Sequence, residues 1–401
     1  MRAKPVVILS VVLVLSGLTA FLMEVVDGHP DRAWQAYLIN FLLFSAVAQG
    51  GFLFSTVMHV CRARWSGPMA GVAETFAGFF PVSLVLFLLL FLGSAHLLPW
   101  LHMDLQGKAL WLNLPFLMGR DGLGLCLLYG FGLAYLYYSL GERLTGQESA
   151  GDGLRGLVIR LWRRRNPDPE RRASRKTLFA ILYILCFTVV LSLLGYDLVM
   201  SLDPHWYSTL FGAYTFVKAF YVGLGGVIIL ASILHLKARR LMGLEPAHFH
   251  DMGKLFLALC LVWAYFFYCQ MLVIWYGNIP EETAYVIVRT MRMPYEPLAW
   301  TVFGVCFIAP FLILLNSAIK TRPVALSLLC LMVLVGMWLE HLLLVGPALF
   351  PNDPTLPVGG MDLAISMGFL GLMALTLKSF IDWFPELVFH PAAVLEQKEG
   401  N

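Results

Sequence analysis

The chain has 401 residues, of which 59% are hydrophobic and 13% charged, with a formal net charge of +3. A soluble domain carries roughly 25% charged residues, so a water-facing globular surface is excluded. The mean hydropathy of +0.76 points instead to an integral membrane protein.

Ten apolar runs follow one another, at about 6–26, 33–60, 69–95, 122–140, 176–200, 208–235, 252–277, 298–317, 323–346 and 361–384. Each is near the ~20 residues that cross a hydrocarbon core, and only a helix satisfies the backbone of an open-ended span in lipid. The expected fold is therefore all-α, with about ten transmembrane helices. A basic start before the first run is also the form of a cleaved signal peptide. The stretch after Pro5 is long for one, and its removal would leave an odd helix count, so it is read as a retained span.

Basic residues alternate between the two sides. One side takes Arg2, Lys4, Arg62, Arg64, the many cations from Arg143 to Lys176, then Lys237, Arg239, Arg240, Lys320, Arg322 and Lys398. The other holds Arg32, Lys108, Arg120, Arg289 and Arg292. The basic side is expected to be cytoplasmic, with both termini there, in a bacterial inner membrane.

The polar segment 141–175 places Leu154, Leu157, Val158, Leu161 and Trp162 at helical spacing against Arg155, Arg160 and Arg163. That pattern predicts an amphipathic helix on an anionic membrane surface, ended by Asn166-Pro167-Asp168-Pro169. The chain divides accordingly into an N-terminal helix (1–32), a first four-helix bundle (33–200), a second (201–346) and a C-terminal helix with a short tail (347–401). The outer loops 97–121, 278–297 and 347–360 are long and rich in Pro, Trp and acids, which suggests a lid or a docking surface.

The seven cysteines nearly all fall inside apolar runs, and no CxxC or CxxCH occurs. Iron–sulfur, zinc and c-type haem sites thus have no motif here, and the thiols read as small buried hydrophobes. Ionisable residues inside spans are costly and mark cavities, partners or ion routes. Lys218 is placed near the middle of the sixth run. Asp197, Gln270, Glu340 and His341 lie toward the outer third of theirs. Glu74, Asp251, Lys254, Lys378 and Asp382 lie toward the inner ends. These form two half-membrane clusters with Lys218 near the gap, the layout a proton route requires; helix-end charges reaching the headgroups are the plainer reading of Glu74, Asp251 and Asp382 taken singly. His59 and His235, and His96 and His341, sit at matched depths, as bis-histidine b-haem ligands would, though a wet interfacial histidine needs no such account.

Several strings look familiar together. They are Tyr196-Asp197-Leu198-Val199-Met200-Ser201-Leu202-Asp203-Pro204-His205-Trp206-Tyr207-Ser208-Thr209-Leu210-Phe211-Gly212, then His250-Asp251-Met252-Gly253-Lys254, and Trp275-Tyr276-Gly277-Asn278-Ile279-Pro280-Glu281-Glu282-Thr283. With Arg32-Ala33-Trp34-Gln35-Ala36-Tyr37 and Gly336-Met337-Trp338-Leu339-Glu340, they resemble the second large membrane subunit of alternative complex III. That bacterial quinol:cytochrome c oxidoreductase is related to the polysulfide reductase membrane-anchor family. The likeness covers most of the chain, and departs from it at Tyr196, where Trp is expected, and at Glu340-His341, where an Asp and an aromatic are expected.

The resemblance implies two four-helix bundles flanked by single helices, in a respiratory or photosynthetic complex. It implies as partners a homologous membrane subunit, an iron–sulfur subunit, multihaem cytochrome c subunits and lipid, with no nucleic acid. Iron–sulfur clusters and c-type haems would sit on those partners, leaving this chain without a covalent cofactor but with quinone as a candidate ligand. Asp203, His205, Gln270, Glu281 and Glu282 are the outer-face quinone candidates; Asp203-Pro204 also reads as a turn or helix cap. Proton-pathway candidates are Asp197, Lys218, Glu340, His341, Glu74, Asp251, Lys254 and Lys378. A purely structural subunit remains open, as does a free-standing secondary transporter, for which Pro81 and Pro310 inside spans are the only hint.

Overall fold

Proline opens five of the ten long helices, where its missing N–H is one that a helix start leaves unpaired anyway. In the computed structural model, which describes residues 4–144, 153–165, 168–351 and 353–389, ten helices are long and apolar enough to cross a membrane. They are α1 (Pro5–Val26), α2 (Pro30–Val60), α3 (Arg64–Leu97), α4 (Leu114–Leu144), α5 (Pro169–Leu202), α6 (Phe211–Ala238), α7 (Pro246–Gly277), α8 (Tyr295–Leu315), α9 (Pro323–Leu349) and α10 (Gly360–Trp383). The fold is all-α, and no strand occurs among the described residues. Arg2, Lys398, Asn166 and Pro167 lie outside the described residues, as do the side chains of Lys4, Leu154, Arg163, Arg239 and Arg240.

The long apolar helices make this a multi-pass membrane protein. Helices α2 to α5 pack together, as do α6 to α9; α2 and α6 meet along their length at the centre, and α1 pairs with α10 at the side. Both close pairings depend on glycine. A Cβ on Gly50 would stand 1.9 Å from the Ala219 carbonyl oxygen, and one on Gly17 would stand 2.5 Å from the Gly368 Cα. Without a hydrophobic drive between helices in lipid, such backbone approach lets dispersion hold them.

The ends labelled inner here are those carrying the basic loops. The helix Gly153–Arg165 lies there, with Ile159 and Trp162 turned to the protein while Leu157 and Leu161 stay exposed. Its indole occupies the space over Gly141, and Arg155 pairs with Glu386 of the short Pro385–Leu387 turn. At the outer end, the loop predicted as a lid contains the helix Pro280–Thr290.

Proline also bends α8. Pro310 removes the partner of the Cys306 carbonyl, and the preceding turn widens into a π-helix over Gly304–Ile308. The freed carbonyl accepts from the Tyr221 hydroxyl of α6 (3.2 Å) and the Cys260 thiol of α7 (3.6 Å). The bend thus ties three helices of the second bundle.

Candidate functional site

Tyr214 and Lys218 are four residues apart on α6, so both face the same neighbour, α9. There the Lys218 ammonium meets Glu340 Oε2 at 2.8 Å, while the Tyr214 hydroxyl donates to Glu340 Oε1. Lys218 is 4% exposed and Glu340 2%. His341 follows Glu340 and donates from Nδ1 to the Met337 carbonyl one turn back (2.7 Å). A buried pair of this kind survives only when the remaining polar atoms are also satisfied, which Tyr214 does here.

Helix α6 begins at Phe211, later than the expected 208, so Lys218 stands two turns from its outer end, paired with Glu340. The reason is local: Asp203-Pro204 and the turns through Leu210 hold the chain out of the helix until Phe211.

A stack of three side chains lies on the outer side of this pair. Trp206 and Tyr285 are parallel at 3.7 Å, and the Arg289 guanidinium lies 3.4 Å over the other face of Tyr285. Arg289 donates to the carbonyls of Tyr285 (3.2 Å) and Leu344 (3.0 Å), and Asp203 stands 3.9 Å away. Burial holds the Arg289 guanidinium below its ordinary value, partly offset by Tyr285 and Asp203. Burial likewise pushes the Tyr285 hydroxyl up.

Beside Lys218 and toward the outer end, a cavity of about 30 Å³ lies between the bundles, lined among others by Lys218, Thr215, His341, Ser45 and Gln49. It is large enough for one water. Ser45 and Gln49, four apart on α2, begin a hydrogen-bonded chain into the first bundle. Gln49 Nε2 donates to the Tyr129 hydroxyl (2.6 Å), which donates to Ser83 (2.8 Å), and Ser83 and Ser45 share a bond of 2.7 Å.

Less than two turns beyond Gln49 along α2, about 9 Å, a second network begins at Ser55. Ser55 and Ser139 both donate to Glu74 Oε1, at 2.9 and 2.8 Å, and Tyr135 bonds Ser55 at 3.0 Å. Arg143 approaches Glu74 Oε2 at 3.5 Å, and that oxygen has no hydrogen bond although Glu74 is 1% exposed. Glu74 lines a cavity of about 350 Å³ open at the inner end, with His59, Arg62, Arg143 and Lys176. Between the two networks stand the packed rings of Phe52, Phe80 and Tyr183.

The other predicted residues separate from these networks. Asp197 is held bidentately by Arg120 (2.6 Å twice) and by the Trp111 indole (3.1 Å), a clamp between α4 and α5 that does not touch Lys218. Asp251 and Lys254 form an i,i+3 pair at 3.1 Å, and Lys378 pairs with the half-exposed Asp382 one turn on. Such pairs contribute about 0–1 kcal/mol and connect to nothing buried. His205 and Glu281 are exposed, and Glu281 and Glu282 sit in the first turn of Pro280–Thr290, where carboxylates suit the helix dipole. Gln270 lies on α7 with a buried, unpaired Nε2. None of the five quinone candidates lines either of these cavities. Among the histidines, His59 bonds Thr177 (3.1 Å) and His96 bonds Asp31 (2.7 Å).

Sequence reasoning missed Tyr214, Gln49, Tyr129, Ser55, Ser139, Arg143 and the Arg289 stack. The spacing of Tyr214 to Lys218 and of Ser45 to Gln49 carried a usable signal; the serine and tyrosine partners across helices did not. Comparison with protein-family models and with curated proteins finds no match.

Proposed function

We propose that this chain is a proton-conducting membrane subunit of a quinol-oxidising, cytochrome c-reducing complex of the alternative complex III type. The assignment to that complex rests on the sequence strings around Asp197–Gly212, His250–Lys254 and Trp275–Thr283. The proton role rests on one observation above all: Lys218 of the buried Lys218–Glu340 pair lines a one-water cavity that Ser45 and Gln49 also line, the two ends of the chain through Tyr129 and Ser83.

Glu340 and Lys218 offer a carboxylate and an ammonium that exchange a proton with little movement of heavy atoms. Tyr129, Ser83 and Ser45 each both donate and accept, so a proton is passed along them by hydroxyl rotation. Glu74, which lines the inner cavity, is the terminal acceptor on that side. The ring cluster at Phe52, Phe80 and Tyr183 separates the two arms, which prevents a continuous leak and makes transfer depend on a rearrangement. None of the quinone candidates lines either cavity, so no step is assigned to quinone in this chain. Quinol oxidation, the iron–sulfur clusters and the haems belong to the partner subunits in this reading, in a bacterial inner membrane with the basic ends cytoplasmic.

A structural subunit is the competing reading, favoured by the ion pairs that tie distant spans, Arg32 to Asp362 (2.9 Å) and Arg120 to Asp197 (2.6 Å). One experiment separates them. The complete complex is reconstituted in vesicles, and protons moved per electron are measured with a pH dye during quinol oxidation. Glu340→Gln is expected to lower that ratio while electron transfer continues. An unchanged ratio in an assembled variant overturns the proton role. Purification of the chain free of redox subunits overturns the assignment to the complex.

A further inference from the structure

We propose that the inner cavity binds a phosphate monoanion, supplied by the headgroup of an anionic phospholipid. The cavity, about 350 Å³, is walled by the inner ends of α2, α3, α4 and α5. Its lining carries Arg62, Arg143 and Lys176 against a single acid, Glu74. Two of the cations are already matched: Arg143 approaches Glu74 at 3.5 Å, and Lys176 is held by Glu142 at 2.6 Å. Arg62 has no ion pair or side-chain hydrogen bond among the described residues, so the cavity has one unmatched positive charge, which one phosphodiester balances. Basic pockets between spans at the cytoplasmic headgroup level are where anionic lipids seat.

The backbone at Arg62 is the second, independent observation. Helix α2 ends with Ala63 N–H donating to the Met58 carbonyl (3.0 Å) and Arg62 N–H to the His59 carbonyl (3.1 Å). This is the cap in which one residue must turn left-handed, a place usually held by glycine. Here it is Arg62, at φ +52°, whereas Gly243 takes the corresponding place after the helix that contains α6, at φ +61°. An arginine kept at a strained position on the rim of a cavity indicates that the guanidinium is used. Lys176, 12% exposed on the same lining, supplies a second donor to the same anion. Arginine and lysine together form charge-assisted bonds to phosphate.

Arg62→Gly is the decisive variant, because glycine suits the left-handed backbone and removes only the side chain. The full-length chain is extracted from membranes containing phosphatidylglycerol, and retained lipid is counted by native mass spectrometry. Wild type is expected to keep one anionic lipid, and Arg62→Gly to keep about ten-fold less. Thermal unfolding in nanodiscs then separates the sources. Stabilisation by phosphatidylglycerol over phosphatidylcholine, without an effect of millimolar inorganic phosphate, assigns the site to the lipid headgroup. Stabilisation by inorganic phosphate alone keeps the anion site but overturns its lipid origin. Equal lipid retention by wild type and Arg62→Gly, or no stabilisation by either probe, overturns the proposal. Arg62→Lys is expected to restore part of the retention, which a purely backbone role of Arg62 would not produce.

Discussion

Gly50 of α2 and Ala219 of α6 touch backbone to backbone, and their chain neighbours Gln49 and Lys218 line one cavity as a result. The close approach is what joins the ion pair of one bundle to the hydroxyl chain of the other. Any added atom at Gly50 meets backbone, which has little freedom to shift. Gly50→Ala is expected to destabilise by more than the roughly 1–3 kcal/mol typical of an overpacked core. Gly50→Val is expected to yield little folded protein. Size-exclusion profiles and thermal unfolding in detergent check both; a normal profile for Gly50→Val would mean that the helices separate easily.

The Lys218–Glu340 pair gives an asymmetric mutational pattern. Removing either charge alone leaves the other buried without a counter-charge, at about 3–5 kcal/mol. The double substitution Lys218→Met with Glu340→Leu, which leaves no buried charge, is expected to recover most of that loss. A double-variant cycle on thermal unfolding reads the coupling directly. Additive losses would show that the two side chains do not depend on each other.

Tyr129 tests the relay without attacking the fold. Its ring packs on Phe80 at 4.6 Å, and Phe in its place keeps that packing while deleting the hydroxyl between Gln49 and Ser83. Tyr129→Phe is expected to cost about 1 kcal/mol in stability. In the reconstituted complex it is expected to lower protons moved per electron. If flux is unaltered, the Gln49–Tyr129–Ser83 chain is structural.

Asp353, between α9 and α10, supplies a pH signature. Hydrogen bonds from the Thr355 amide and hydroxyl, both 3.0 Å, hold its carboxyl below the usual value of 3.8. A depressed carboxyl stabilises the fold above its unfolded value and loses that contribution as pH falls through its folded value. The effect is confined to pH below about 4, and Asp353→Asn is expected to flatten the acid limb of the unfolding curve there. Its carboxyl is solvent-facing, so the change is small; an unaltered acid limb would mean that Thr355 does not hold Asp353 in solution.

The sequence by itself determined the helical class and the ten spans. Lipid admits only helices in an open chain, and runs of ~20 apolar residues between basic and proline-rich loops carry that requirement in one dimension. It also marked Lys218, Glu340 and His341 as residues too costly to bury without a partner, while Glu74 read more plainly as a helix-end charge. Only the tertiary structure decided which partner each has. Lys218 and Glu340 are 122 residues apart, and Ser55, Glu74 and Ser139 come from three helices. Serine and tyrosine are ordinary in a span, so nothing in their identity announces a network; it exists only where helix rotation turns them toward one another. Asp197 shows the converse: equally charged and equally buried, it is taken up by Arg120 and Trp111, because α4 and α5 close on each other at that level.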